Sequence, residues 1–431
     1  MKPARIIVLT WLAWAVIVIG FQGLATARLE LQYPDRAQAW TTQFTGEGYQ
    51  EGHIYLLEPF MNNQVAWDSE YYLAIAIGGY DDPNSPHLTP QGVQFSVRDH
   101  TVTQSGSSFD ESISLSYAFF PFYPSMIRVF AFPLQVLGLN AIATATLAGV
   151  IVSGLGTLLG MLALYDLTRE SLGETGGLRA AFYLIIFPTG FFLIQVYTEG
   201  LFAGLAFGCL AMLKRKHWLL AALLGVAATM TRAVGVALVI PMAITWLRSG
   251  EWLDLDLERR QILHQGIPPR PLAHGLLAIL PLIAFTIWRF SYWGLAFDYV
   301  ESHYFERGFL QLGYAFTVWS QAWQLMLDGS NPQSTAYYLT EFLGLVIGVV
   351  ACIVTFRTHP EVAWFSIAVI LISWASGPAQ GIHRYILGAP AVFIALARWG
   401  DHPVFDRAWT ILSLLLMGLL AMLFAFNMWV A

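Results

Sequence analysis

The chain has 431 residues, of which 56% are hydrophobic and only 12% charged, against roughly a quarter charged in an ordinary soluble domain. That composition excludes a water-covered globule, and equally a disordered, collagenous or disulfide-stapled chain. With 22 basic and 28 acidic residues there is no basic excess to hold a nucleic acid; the chain reads as an all-α polytopic protein of the lipid bilayer.

A helix needs about 20 mostly apolar residues to cross the hydrocarbon core. Runs of that kind fall at 6–26, 141–166, 273–293, 336–356 and 408–430, with shorter or broken runs at 179–197, 199–213, 217–230, 233–247, 361–377 and 385–398. This gives about eleven transmembrane helices. Lys2 and Arg5 precede the first run as in a signal peptide, but the run is long for that role and Ala25-Thr26-Ala27 is a loose cleavage site. Residues 1–26 are therefore read as an uncleaved anchor, 27–140 as an extracytoplasmic loop with interfacial helices, and 141–431 as the multi-span domain. Cys209 and Cys352 both lie in apolar runs and fix no redox compartment.

Orientation follows the basic residues. Lys214-Arg215-Lys216 is the densest basic cluster, so that turn is expected on the cytoplasmic side. Counting spans outward places the N-terminus and the turns near Arg169 and Arg179, Arg248 to Arg270, Arg357, and Arg398 to Arg407 on the same side. The segment 27–116 then faces outward, with three basic residues against twelve acidic. The parity holds only if 119–137, interrupted by Pro121, Pro124, Arg128 and Pro133, returns along the interface rather than crossing. The stretch from Asp81 to Phe109, rich in small and turn-forming residues, reads as a flexible excursion without its own core. The link at 248–272 ends in the stiff connector Pro268-Pro269-Arg270-Pro271.

Ionisable groups at membrane depth are expensive, so each is a functional candidate. Tyr197-Thr198-Glu199 sits where one short span ends outside and the next begins; Glu199 either caps that helix or serves a site. Thr231-Arg232 joins two runs too short for the full core, which sinks the turn below the outer surface and aims Arg232 at a polar cavity rather than at headgroups. His383-Arg384-Tyr385 opens the tenth span, again outside, where anchoring and ligand contact are both open. In the first loop, Asp68 stands at the start of a helix beginning near Ser69, with capping as the alternative to a role in a cavity. Outward placement allows Asp68, Glu199, Arg232 and Arg384 to meet in one pocket.

Five blocks carry a resemblance. Trp67-Asp68-Ser69 with Tyr71-Tyr72, Ile75-Ala76 and Gly79-Tyr80 resembles the first-loop motif of the PIG-V-like mannosyltransferases, a family of the GT-C glycosyltransferases. Phe119-Phe120-Pro121-Phe122-Tyr123-Pro124 is similar to that family's FFPLYP-type block, and Phe187-Pro188-Thr189-Gly190-Phe191-Phe192 with Tyr197-Thr198-Glu199 to its FPTSFF and YTE blocks. Ala227 to Gly235 resembles its TRxxG turn, and Arg384-Tyr385 its late RY pair. The blocks keep the family's order from about Trp67 to Arg398; the stretch Asp81–Glu111 is longer than the family pattern, and the second outer loop matches loosely at Arg307.

The resemblance implies a multi-span enzyme with a GT-C-like fold, using a polyprenyl-phosphate-linked sugar at the extracytoplasmic face, with Asp68 as catalytic base. A mannosyl or other hexosyl unit would pass to a hydroxyl of a lipid- or glycan-type acceptor with inversion. Arg232 and Arg384 are then expected on the donor phosphate, since guanidinium stays charged and binds phosphate oxygens in pairs; Glu199, Tyr385 and His383 complete the expected substrate-binding set. No cofactor is expected, and no metal: Asp81-Asp82 and His53, His87 and His100 match no ligand spacing, although a divalent ion is not excluded by sequence. The competing reading is a transporter or flippase of lipid-linked sugars without chemistry, which predicts broken spans near the bilayer midplane and usually inverted repeats. The expected location is the plasma membrane of a bacterial cell or the endoplasmic reticulum of a eukaryotic one, with the N-terminus cytoplasmic.

Overall fold

The computed structural model describes all residues except 1, 47, 91–92, 97–98, 105–111 and 250–269. The expected stiff connector at Pro268 and Pro269 lies outside the described residues. Among those described, five helices are long and apolar enough to cross a bilayer, at Pro3–Arg28, Ala141–Ile185, Leu272–Arg289, Pro332–Phe356 and Pro403–Ala425, and shorter apolar helices fill the intervals between them. The protein is all-α and multi-pass, with two small two-stranded antiparallel sheets.

We number the helices that bear on the site α1 (Pro3–Arg28), α2 (Ser69–Ile77), α3 (Phe122–Leu134), α4 (Ala141–Ile185), α5 (Glu199–Lys214), α6 (Trp218–Thr231), α7 (Val239–Ser249), α8 (Arg270–Arg289), α9 (Tyr292–His303), α10 (Leu312–Asp328), α11 (Pro332–Phe356), α12 (Pro360–Ala375), α13 (Pro390–Trp399) and α14 (Pro403–Ala425). α4 is two helical legs joined at Gly173, whose φ of 71° and ψ of 175° are not helical; a Cβ on Gly177 would stand 3.3 Å from the Tyr165 carbonyl oxygen, so the second leg folds back on the first.

The turns expected together at one end of the bundle are tied to one another. Arg215 pairs with Asp166 at 2.6 Å, Lys214 with Glu170 at 2.8 Å, Arg179 with Asp401 at 3.7 Å, and Arg248 with Glu361. The opposite end gathers the first loop, the second loop and the starts of α5, α7 and α13. Leu, Ile and Val side chains such as Ile17, Ile287, Ile353 and Leu415 point away from the protein along the outer faces, as a lipid-facing belt requires.

Small residues let α4 and α5 pack backbone to backbone. A Cβ on Gly156 would stand 2.4 Å from the Leu201 Cα, and one on Gly204 would stand 2.4 Å from the Gly156 carbonyl oxygen. This is the small-residue contact by which membrane helices approach closely. It draws the start of α5, and with it Glu199, against the middle of the first leg of α4.

α3 is 13 residues, about 20 Å, too short for a core of about 30 Å. It doubles back over α4, with the Tyr123 hydroxyl on the Gly149 carbonyl at 3.2 Å, and its Arg128 donates to the Ile75 and Ala76 carbonyls at 2.9 and 2.8 Å. Those are carbonyls of the last turn of α2, where a helix end leaves acceptors short of partners; the Ile75 carbonyl also accepts from the Gly79 amide at 3.1 Å. The excursion from Asp81 differs from expectation: its strands Val93–Ser96 and Thr101–Gln104 pair in register Val93↔Gln104, and Phe95, Ile113, Leu115 and Tyr117 share a buried cluster with Tyr292, Ala296, Tyr299 and Val300 of α9. The segment has a core because the second outer loop completes it, a contact two hundred residues away in sequence.

Candidate functional site

The approach to Asp68 is held from three directions. Trp67 occupies the left-handed region at φ 51°, uncommon outside glycine, and its indole donates to the Met428 carbonyl at 3.2 Å. The Tyr197 hydroxyl donates to the Ala66 carbonyl at 3.1 Å and accepts from the Asp68 amide at 3.2 Å. Asp68 makes no capping hydrogen bond to α2. Its Oδ2 accepts instead from Arg384 Nη1 at 3.1 Å, so the capping alternative does not describe this side chain.

From Arg384 the charges run on as a chain. Its Nε lies 3.4 Å from Glu199 Oε1, the same oxygen that pairs with Arg232, and Arg232 also donates to the Thr198 hydroxyl at 3.2 Å. Glu199 is the first residue of α5, where its charge suits the positive end of the helix, but no side-chain hydrogen bond from Thr198 caps that end. Glu199 Oε2 is buried without a hydrogen-bond partner among the described residues. Tyr385 sits inside a ring of cations: the guanidinium carbons of Arg232, Arg384 and Arg307 lie 4.9, 5.0 and 5.6 Å from its ring centroid, within cation–π range. Arg232 and Arg384 are each matched by a carboxylate. Arg307 donates to the Ser376 hydroxyl at 3.3 Å and has no carboxylate within ion-pair distance among the described residues.

These residues line one hollow of about 790 Å³, within the size range of small-molecule sites. Trp40, Trp67 and Trp429 form one wall, with ring centroids 4.7 to 5.9 Å apart. Val234, Phe285, Phe297 and Ile372 contribute an apolar part of the lining. The structure thus brings together Asp68, Glu199, Arg232, Arg384 and Tyr385. His383 is the exception. It is not among the residues lining the hollow; its Nδ1 lies 3.0 Å from Glu341 Oε2, and both side chains are buried. Arg384 enters the hollow and the adjacent His383 does not, because neighbours in a helical turn point about 100° apart.

Sequence reasoning missed several polar residues of the hollow. Glu70 pairs with His53 Nδ1 at 2.8 Å, which holds the imidazole above its ordinary pKa. Arg289 pairs with Asp298 at 2.5 Å. Glu301 of α9 also lines the hollow; burial, reinforced by Asp68 and Asp298 and opposed by Arg307, pushes its carboxyl up to about 7. Because that value lies above the unfolded one, the unfolded chain loses its proton first as pH rises, and stability falls until the folded group also ionises. The gap in thermal midpoint between Glu301→Gln and the parent protein is expected to widen from about pH 5 to about pH 7 and then level off; a gap independent of pH would show that Glu301 does not titrate there.

Among the described residues, no group of three or more His, Cys, Asp or Glu side chains is placed to hold a metal. Asp81 accepts from the Tyr117 hydroxyl at 2.7 Å, and Asp82 from the Tyr55 hydroxyl at 2.6 Å.

No protein-family model matches the chain, and no curated protein matches it. Among solved structures it is similar to ArnT from Cupriavidus metallidurans bound to undecaprenyl phosphate, at 14% identity and a TM-score of 0.43, covering 86% of this chain and 62% of that one. It is also similar to the Archaeoglobus fulgidus oligosaccharyltransferase in complex with zinc and sulfate, at 13% identity and a TM-score of 0.40, covering 83% and 49%. The oligosaccharyltransferase AglB of the same organism, with an inhibitory peptide and a dolichol-phosphate, matches at 14% identity and a TM-score of 0.37, covering 96% and 55%. The chain therefore spans less than two thirds of the length of each of these proteins.

Proposed function

We propose that this protein is a membrane glycosyltransferase that moves a mannosyl or other hexosyl unit from a polyprenyl phosphate to a hydroxyl of a lipid- or glycan-type acceptor. The observation that carries the reading is the linked set Asp68, Arg384, Glu199 and Arg232 at the edge of an aromatic-walled hollow. The residues that make it up belong to the blocks that resemble the PIG-V-like mannosyltransferases.

The chemistry asked of the site is a single displacement. Asp68 takes the proton of the acceptor hydroxyl as its oxygen bonds to the anomeric carbon. The bond from that carbon to the phosphate oxygen breaks, and its electron pair leaves with the lipid phosphate, inverting the centre. Phosphate is already a competent leaving group, so one base suffices, and the guanidinium groups around Tyr385 take up the growing negative charge. Glu199 holds both Arg232 and Arg384 and thereby orients the fork that meets the phosphate. The apolar part of the lining offers the prenyl chain a path from the bilayer. In this reading the hollow is extracytoplasmic and the N-terminus cytoplasmic, on the strength of the basic turns at the far end of the bundle.

The flippase reading rests on broken passes. Breaks at 186–198, 232–238 and 381–389 are present, but they meet at one end: the Thr189 hydroxyl donates to the His383 carbonyl at 2.8 Å, and Glu199, Arg232 and Arg384 close the circuit. The deciding experiment is transfer in liposomes from radiolabelled polyprenyl-phosphate mannose to a membrane lipid extract, with a glucosyl donor in parallel. Labelled product of inverted configuration is expected, and no transfer from either donor would overturn the reading.

A further inference from the structure

Glu341 lies inside α11, fully buried, where an unpaired carboxylate would be costly. Three of its four contacts come from the turn that carries two of the site's residues. Oε1 accepts from the Gly381 amide at 2.5 Å and from the Tyr337 hydroxyl at 2.6 Å. Oε2 accepts from the His383 amide at 3.2 Å and lies 3.0 Å from His383 Nδ1. The helical turn Ile382–Tyr385 has only four residues and no side-chain cap of its own. Its leading amides are those that a helix start leaves without partners, and a carboxylate from another span takes two of them.

The rest of the turn is clamped with equal closeness. Gly381 sits in the left-handed region at φ 79°, and a Cβ there would stand 3.2 Å from the Tyr385 ring. A Cβ on Gly344, one turn along α11 from Glu341, would stand 2.9 Å from the His383 Cβ. Thr189 holds the His383 carbonyl from the opposite side. Arg384 follows directly, and its guanidinium must reach Asp68 and Glu199 together.

We infer that Glu341, with His383 as its counterpart, is a positioning residue that sets the Gly381–Tyr385 turn and through it aims Arg384 at the reacting centre. The inference rests on the glycosyl-transfer reading of the hollow for its catalytic consequence, though not for the geometry. A buried, fully bonded carboxylate specifies one conformation of the turn where an apolar residue would permit several.

Glu341→Gln tests this, because an amide nitrogen cannot accept from the amides that the carboxylate oxygen serves. In nanodiscs, the Gly381 and His383 amides are expected to exchange with deuterium about tenfold faster than in the parent protein. Turnover should fall about 10- to 100-fold, and in an Arg384→Ala background the same substitution should change turnover by no more than about twofold, since both act through one group. Glu341→Asp, which keeps the charge on a shorter arm, should fall between the two and serves if the glutamine variant does not fold. Unchanged exchange at Gly381 and His383, or a full additional loss in the Arg384→Ala background, would overturn the inference. If the parent protein transfers no sugar, the reading of the hollow fails, and the exchange result still decides whether Glu341 sets the turn.

Discussion

Asp68→Asn is expected to abolish sugar transfer, with turnover falling by about 10²- to 10⁴-fold, the usual contribution of a general base. The carboxamide has nearly the same shape, and its oxygen can still accept from Arg384, as Asp68 Oδ2 does at 3.1 Å. What it loses is the ability to take a proton. The loop should be undisturbed, because Tyr197 holds the Asp68 amide and the Ala66 carbonyl rather than the carboxylate. Donor affinity should be retained or rise slightly, since the substitution removes a negative charge beside Arg384. Binding of undecaprenyl phosphate in nanodiscs, measured beside turnover on the same preparation, separates the two effects. Turnover like that of the parent protein would remove Asp68 from the role of base, and a matching loss of binding would make it a binding residue.

Much of this site can be read from spacing and span parity. Glu199, Arg232 and Arg384 all fall at turns that parity assigns to one end, and the paired turns at the other end, such as Asp166 with Arg215 and Arg248 with Glu361, agree with that assignment. Parity fixes an end of the bundle but not a direction within a turn. His383 and Arg384 are adjacent, yet one faces Glu341 and the other faces Asp68. The signal that would have identified the pair was Glu341 itself, an acidic residue within the apolar run 336–356, where burial demands a partner. Glu301 and the core beneath the Asp81 excursion were illegible for a different reason. Both depend on α9 packing against the first loop, a long-range contact that no local pattern encodes.

The second large effect is expected at Arg384, which joins the two carboxylates. Its guanidinium meets Asp68 at 3.1 Å, Glu199 at 3.4 Å and the Tyr385 hydroxyl at 3.2 Å. Arg384→Ala leaves Glu199 with Arg232 alone and Asp68 with no ion-pair partner; removing one member of a buried charge set typically costs about 3–5 kcal/mol. Losing a charge-assisted contact to the phosphate should in addition weaken donor binding by roughly 10- to 100-fold, as about 1.5–3 kcal/mol implies. Arg384→Lys should recover part of the stability but little of the activity, because a single ammonium cannot reproduce a planar fork shared between two carboxylates. Adding Glu199→Gln to Arg384→Ala discriminates further. It removes a buried charge that has lost a partner, so the thermal midpoint should rise relative to Arg384→Ala alone, while the residual transfer stays as low as in Arg384→Ala because the phosphate still lacks its cation. If Arg384→Ala retains both donor affinity and thermal midpoint, the guanidinium is a bystander, and the charge balance of the hollow must be assigned to Arg232 and Arg307 instead.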